Sequence, residues 1–596
     1  MKPTPQTLLA ALREKMQQHQ IAAWIIPTAD PHLSEYLPEH WQSRALFSGF
    51  TGSAGTLVVQ TSSAQLWTDS RYWVQAARQL AGSGIALKKL GAEGSPIADL
   101  ADTLPAGSRI GIAPDMLSLA EQRSFQTALS AKNITLLNQG DLAAEVWPKR
   151  PSLPSENIYI HPAPFAAETA AAKLARVRSA MQQAGADWHL LSSLDDIAWL
   201  TNLRSSDVFY NPVFLSFLLI GNSEAALFTD LVRLPEAARK QLAEAGIAAR
   251  AYGEIGQAVA QISGTLLLDA AKTAVSTLQT LPQNVRLIEQ TAPSTLFKAV
   301  KSAAEAEHIR EAMRQDGAAL CTFFADFEAR LAHGETLTEL DVDRLLTAER
   351  ARRPHYISDS FNTIAGFNAN GALPHYSATP EAHAEIRGDG LLLIDSGGQY
   401  LNGTTDITRV VPIGTPNAAQ KRDFTLVLKA HIALARAVFP ENTSGAALDG
   451  ICRTPLWQAQ CDFGHGTGHG VGYFLNVHEG PQSISPRQRA DNLIRAGMLT
   501  SNEPALYREG QWGIRIENLV LACEAVPSEN SRTFGRFLRF ETVTLCPIDT
   551  RLIERSLLDE TEAEWLNNYH ASVRQQLLPL VSGAAGQWLI DRTEAV

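Results

Sequence analysis

The sequence predicts an α/β fold in three successive units: two similar ones, each a mixed sheet covered by helices, and a larger third. An internal echo is the first reason. Met16-Gln17-Gln18 precedes Trp24 and an apolar run, as Met181-Gln182-Gln183 precedes Trp188 and another. Further on, Leu66-Trp67-Thr68-Asp69 is echoed by Leu227-Phe228-Thr229-Asp230, and the three offsets are 165, 164 and 161 residues, so order and spacing are both kept. The second reason is the pattern inside each copy, which opens on a helical period and continues in short β-rich runs broken by Gly and Ser. The third is punctuation: the Pro- and Ser-rich residues 147–164 read as a linker, and the Ala- and charge-rich residues 297–314 as a long exposed helix opening the third unit. The expected domains are 1–155, 156–298 and 299–596.

Taken in order, residues 1–18 (MKPTPQTLLAALREKMQQ) read as a first amphipathic helix. Arg13, Glu14 and Lys15 follow directly on a short apolar patch, where a secretory signal carries a longer apolar region and a small-residue cleavage site. The runs GTLVVQTSSAQ before Leu66 and FLSFLLIGNSEAA before Leu227 supply strands. The best apolar stretch, residues 212–221 (PVFLSFLLIG), is about half the length of a membrane helix and contains a serine, so a soluble chain is expected. With 51 Lys and Arg against 62 Asp and Glu, the net charge is −11, which argues against general binding to nucleic acid or anionic membranes. Cys321, Cys452, Cys461, Cys523 and Cys546 are odd in number and lack CxxC spacing, which favours reduced thiols in a cytoplasm.

The third unit holds the residues that carry chemistry. Residues 391–411 (LLLIDSGGQYLNGTTDITRVV) read as two strands around a Gly-containing turn, with Asp395 ending the first and Asp406 within the second. A buried Asp is costly unless paired, hydrogen-bonded or bound to metal, although Asp395 beside Ser396-Gly397-Gly398 also suits a plain turn. Residues 463–481 (FGHGTGHGVGYFLNVHEGP) place His465, His469 and His478 among glycines and apolar neighbours, as in a walled pocket. Glu503 in TSNEP and Glu517 in GIRIEN add two carboxylates in strand-like surroundings, where Glu517 equally suits the solvent face of an alternating strand.

Together, Asp395, ten residues, Asp406, then His469, Glu503, thirteen residues and Glu517 resemble the five-ligand signature of the pita-bread metallopeptidases, which include methionine aminopeptidases, prolidases and aminopeptidases P. The resemblance implies a pita-bread catalytic domain and a site for two divalent metals. In it Asp395 chelates one ion, Asp406 and Glu517 bridge both, His469 and Glu503 complete the second, and Glu503 is also the proton acceptor. Four carboxylates repel unless about +4 of cation charge balances them, as two divalent ions do. One His against four carboxylates makes a hard, oxygen-rich site, which favours Mn²⁺, with Co²⁺ or Fe²⁺ as alternatives.

Further residues narrow the branch. His375 in NGALPHYSA, His465 and His478 match the extra histidines of the proline-specific members, each of which would otherwise pass as an ordinary loop or core imidazole. The resemblance places His478 near the scissile carbonyl, His465 near the substrate beyond that bond, and His375 on a proton path to the leaving amine. SGFTGSAG (48–55), LWTDSRY (66–72) and DDIAWLTNLRSSDVFYNPVFLSFLLI (195–220) resemble the two creatinase-like N-terminal domains of the long, three-domain cytosolic Xaa-Pro aminopeptidases. That branch hydrolyses the bond between any N-terminal residue and a following proline by attack of a hydroxide bridging the two metals, and is homodimeric. Arg515, two residues before Glu517, is expected to orient a metal carboxylate or the substrate. Tyr376, Tyr473, Phe474 and Tyr507 are unranked candidates for the proline pocket. Two rivals stay open: a prolidase cleaving dipeptides alone, and a metal-free relative that only binds peptides.

Overall fold

Leu8, Leu9, Leu12 and Met16 share one face of a segment that has Thr4 as its N-cap and Pro5 in its first turn, and the first sheet buries that face. In the computed structural model, which describes residues 4–138, 140–487 and 492–596, this helix spans Pro5–Gln18. Each of the four side chains contributes roughly 1.5–3 kcal/mol by leaving water. The chain divides into two compact units, residues 1–161 with 168–294, and residues 162–167 with 295–596.

The first unit contains two six-stranded sheets of one topology. The strand order is Ala86–Lys89, Ala64–Thr68, Thr56–Gln60, Ala23–Pro27, Arg109–Ile112 and Thr135–Leu137 in one. In the other it is Ala248–Ala251, Ala225–Thr229, Phe217–Gly221, Trp188–Leu191, Thr265–Leu268 and Arg286–Glu289. Neighbours run parallel, antiparallel, antiparallel, parallel and parallel in both. The sequence echo is therefore a structural one: Trp24 and Trp188 lie on equivalent central strands, and Trp67 and Phe228 on equivalent strands two places away. Each tryptophan also lies against a glycine, since a Cβ on Gly111 would fall 2.4 Å from the Trp24 ring and one on Gly221 2.9 Å from the Trp188 ring. The missing side chain admits the ring. It stands on the parallel neighbour in the first sheet and on the antiparallel neighbour in the second.

In the second unit, the single exposed helix expected over residues 297–314 is two helices, Pro293–Ala299 and Ala303–Ala332. A capping box of Ser302 and Glu305 starts the second, and Ala306, Ile309, Met313, Leu320, Phe324 and Phe327 make one side of it a buried stripe. Its alanines concealed this, because a methyl group sits as readily beneath a packed neighbour as in water. Ile364–Phe367, Gly390–Ser396 and Ile407–Ile413 form an antiparallel sheet whose middle strand is buried at every position. A six-stranded sheet runs in the order Val438–Pro440, Phe537–Thr542, Asn518–Glu524, Leu499–Asn502, Gly468–Gly470 and Glu479–Ile484. The five residues of the signature fall at strand ends or in a short strand of these two sheets. Asp406 stands just outside its strand rather than within it. Thr405 donates from its amide to the Gly398 carbonyl at 2.9 Å, and its own carbonyl accepts from Ser360 Oγ at 2.8 Å, so the ladder opposite Ser396 starts only at Ile407. Among the described residues no helix is long and apolar enough to cross a membrane.

Candidate metal centre

Asp395 is the penultimate residue of Gly390–Ser396 and lies opposite Thr408, so register sets it beside the mouth of the neighbouring strand, where Asp406 emerges. Its Oδ2 accepts from Arg515 Nη2 at 2.5 Å, while its Oδ1 is buried and has no hydrogen-bond partner among the described residues. Glu517 fills the gap between Trp512–Arg515 and Asn518–Glu524 and is 2 % exposed, which removes the solvent-face alternative. Its amide donates to the Thr408 carbonyl at 3.2 Å, and its Oε2 accepts from Thr408 Oγ1 at 2.8 Å.

His469 is the middle residue of Gly468–Gly470. Its Nδ1 donates to the Gly470 carbonyl at 2.9 Å, which turns Nε2 toward Asp406 Oδ2 at 3.4 Å and Glu503 Oε1 at 3.7 Å. Glu503 follows Leu499–Asn502; Ser501 Oγ donates to its Oε1 at 3.3 Å and accepts from the His469 amide at 3.0 Å. One ligand atom from each of Asp406, His469 and Glu517 lies within 4.8 Å of the other two, a separation a metal ion can span.

The electrostatics of this cluster are those of crowded acids. Burial pushes the Asp395 carboxyl up to about 6 against the pull of Arg515, and Asp406 adds repulsion. Burial also takes Glu503 up to about 7 against His469, and holds Glu517 well above the carboxylate range with Asp406 and Asp395 reinforcing it. Burial alone would lower His469, but the bond to Asp406 and the charge of Glu503 raise it to about 9. These carboxyls bind protons on folding, so their cost is absent at low pH and grows as pH rises through about 6 to 7. The raised His469 contributes stability below its ordinary 6.5, lost as pH rises through about 9. Both act in one direction. The melting temperature of chelator-treated protein is expected to fall between about pH 5 and pH 9, and to fall less in Glu503→Gln. Calorimetry across that range checks it; a flat profile, or equal slopes in the two proteins, would sink the description.

The accessory histidines surround this cluster. The His478 ring meets the His469 ring edge-on at a centroid distance of 4.4 Å. His465 Nδ1 faces the Gly466 carbonyl at 2.7 Å and lies 4.0 Å from Glu503 Oε2, while its Nε2 accepts from Tyr507 Oη at 2.9 Å. Tyr507 Oη in turn accepts from Arg515 Nη1 at 2.7 Å. Arg515 is buried, and its remaining donors reach Asp395, Thr408 Oγ1 at 3.0 Å and the Pro374 carbonyl at 3.3 Å, so the guanidinium is committed to the protein's own groups. His375 is half-buried and follows Pro374 directly. Of the four candidate aromatics, Tyr507 bonds to His465 and Arg515 of the site. Tyr376 Oη donates to Glu339 at 2.8 Å, Tyr473 Oη to the Phe165 carbonyl at 3.0 Å, and Phe474 is fully buried. Thr408 and Ser501 escape a reading by sequence, since a hydroxyl between two charged groups carries no local signature; their spacing of two from Asp406 and Glu503 was the available hint.

Residues 307–524 match the model of metallopeptidase family M24 and residues 536–596 that of its C-terminal region. Residues 9–146 and 149–305 each match a creatinase/prolidase N-terminal domain. The chain is 39% identical to aminopeptidase P2 of Arabidopsis thaliana, over 96% of this chain and 86% of that one. Its structure is similar to the crystal structure of X-prolyl aminopeptidase from Caenorhabditis elegans, described as a cytosolic enzyme with a di-nuclear active site, with a TM-score of 0.95, 32% identity and 100% of both chains covered. An Xaa-Pro dipeptidase from Bacillus anthracis matches at a TM-score of 0.52 and 25% identity, covering 64% of this chain and 99% of that one. With relatives this similar along almost the whole of both chains, over a cluster of four carboxylates and a histidine, the chain belongs to metallopeptidase family M24, among the Xaa-Pro aminopeptidases P that carry two creatinase-type N-terminal domains.

Proposed function

We propose that this chain removes the residue ahead of a proline in second position from peptides, and that Asp395, Asp406, His469, Glu503 and Glu517 hold the two divalent ions it uses. The convergence of Asp406, His469 and Glu517 within 4.8 Å is the observation that carries this reading. The residues fit such ions: Asp395 Oδ1 is buried without a bond partner among the described residues, His469 Nε2 faces two carboxylates, and the charge of the cluster calls for cations. The oxygen-rich donor set favours Mn²⁺ over Zn²⁺, with Co²⁺ or Fe²⁺ as alternatives. Bound there, the ions supply Lewis acidity toward a peptide carbonyl and a nucleophile at neutral pH.

The remaining work falls to side chains. Glu503, half-buried at the edge of the cluster, accepts the proton released during attack. His478, against His469, faces the scissile carbonyl; His465, oriented by Tyr507, contacts the substrate beyond the bond; His375 passes a proton to the leaving amine. Arg515 fixes the orientation of Asp395. Proline lacks an amide donor and has a fixed φ, so its recognition rests on shape and on these surrounding rings. The domain limits 1–155, 156–298 and 299–596, a homodimer and a cytoplasmic location belong to the same proposal. The family matches, which change over at 146–149 and 305–307, support a three-domain division, and the cytosolic description of the nematode relative supports the location.

The test is hydrolysis of Arg-Pro-Pro, Arg-Pro and Ala-Ala-Ala by chelator-treated protein with and without Mn²⁺. Cleavage of Arg-Pro-Pro, dependent on metal, with Ala-Ala-Ala intact is expected. Cleavage of Arg-Pro alone makes the chain a prolidase. Metal uptake without any cleavage overturns the substrate, and no uptake overturns the metal site.

A further inference from the structure

We propose that Glu339, which among the described residues bonds to none of the five cluster residues, is the positioning residue that holds His375 in place; this rests on the role given to His375 above. Glu339 is the first residue of the helix Glu339–Arg350 and is 1 % exposed. Its carboxylate is saturated. Oε1 accepts from the Phe367 amide at 2.7 Å and from Asn370 Nδ2 at 3.0 Å. Oε2 accepts from Tyr376 Oη at 2.8 Å, the Ala384 amide at 2.7 Å and Asn370 Nδ2 at 3.1 Å. All four donating residues are uncharged. A carboxylate buried among neutral donors has lost its hydration without gaining a counter-ion, and only well-aimed bonds, helped by the helix N-terminus, offset that.

The donors are not scattered. Phe367 ends the strand Ile364–Phe367, Ala384 precedes the strand Glu385–Ile386, and Asn370 and Tyr376 lie between them. One carboxylate therefore ties both ends and two interior points of the excursion 368–383. His375 stands near its centre. From the other side, Arg515 Nη1 donates to the Pro374 carbonyl at 3.3 Å. The backbone there is also close to the hairpin strand that ends at Arg515, since a Cβ on Gly513 would fall 1.7 Å from the Gly371 carbonyl oxygen. His375 is thus clamped through its two neighbours, Pro374 by the arginine that holds Asp395 and Tyr376 by Glu339. The helix carboxylate fixes the distance between the His375 ring and the site, and a shift of about 1 Å in such a group costs about 100-fold in rate.

The test is a double-mutant cycle on the Mn²⁺-loaded enzyme with Arg-Pro-Pro. Glu339→Gln is expected to lower kcat about 30- to 100-fold with KM within about twofold and the bound-metal ratio unchanged. Tyr376→Phe, which removes the hydroxyl's bonds to Glu339, Asn370 and the Ala382 carbonyl and leaves the other donors of Glu339 in place, is expected to lower kcat about fivefold. In a His375→Ala background each should cost no more than about twofold further, because the group they position is already gone. Losses that multiply in that background make Glu339 a general structural residue and overturn the proposal, as does parental activity in Tyr376→Phe and Glu339→Gln. Should Glu339→Gln not fold, the Tyr376→Phe pair decides the same question. His375→Ala with parental activity overturns the role of His375 itself, an outcome read from that variant alone.

Discussion

Glu517→Gln is expected to lower kcat/KM on Arg-Pro-Pro by about 1,000-fold or more, to cut the number of Mn²⁺ ions bound, and to raise the melting temperature of the metal-free protein. The activity loss corresponds to several kcal/mol of transition-state stabilisation forfeited with the ions. The gain in stability follows from the cluster's own repulsion. Glu517 is 2 % exposed, and burial together with Asp406, Asp395 and Glu503 holds its carboxyl well above the ordinary range. A neutral amide of the same shape removes that strain while its oxygen still accepts from Thr408 Oγ1, so the fold has no reason to suffer. Each kcal/mol released raises the midpoint by about 2–4 °C in a domain of this class. Scanning calorimetry with and without chelator, beside a metal titration, separates the two effects. A variant that binds two ions, or whose metal-free form melts below the parent, removes Glu517 from the ligand set.

Much of this site was legible in the sequence because its principal residues are chemically loud. Asp395 ends an apolar run, His469 stands between glycines, and four carboxylates with one imidazole in a fixed order leave few chemistries open. The duplication was legible too, since Trp24 and Trp188 keep their place in equivalent strands. What stayed hidden depends on distance in the chain. Thr408 meets Glu517 across 109 residues, and Glu339 meets Tyr376 across 37, with nothing local to announce either pairing. The neighbouring tyrosines show the same limit. Tyr376, Tyr473 and Tyr507 look alike in composition and context, but only the partners of each hydroxyl, the helix carboxylate of Glu339, His308 with a loop carbonyl, or His465 with Arg515, reveal its task. The break at residues 300–302 was hidden by alanine-rich composition, while its cause, the cap at Ser302, is visible once the packing is known.

Arg515→Met is expected to lower kcat/KM by about 100-fold at neutral pH and to weaken Mn²⁺ binding by 10- to 100-fold, as loss of a group that orients a ligand typically does. The guanidinium spreads its donors over Asp395, Tyr507, Thr408 and the Pro374 carbonyl, so its removal loosens the carboxylate, the His465 tyrosine and the His375 loop together. The effect has a pH signature that general disruption lacks. Burial already pushes Asp395 up to about 6, and Arg515 is the chief force opposing it. Without the arginine the carboxyl rises further and is more protonated at neutral pH, and a protonated ligand must release its proton before it can bind metal. Metal affinity in Arg515→Met should therefore rise more steeply from about pH 7 to 9 than in the parent, whose own rise comes from proton release by Glu503, Glu517 and His469 while its Asp395 is already largely ionised. Arg515→Lys should fall between the two, because an ammonium keeps the charge at Asp395 but cannot reproduce the planar fork that reaches the other acceptors. Isothermal titration of Mn²⁺ at several pH values reads all three proteins. A deficit in Arg515→Met that ignores pH, or a lysine variant no better than methionine, would show that Arg515 supports the fold there rather than the charge state of Asp395.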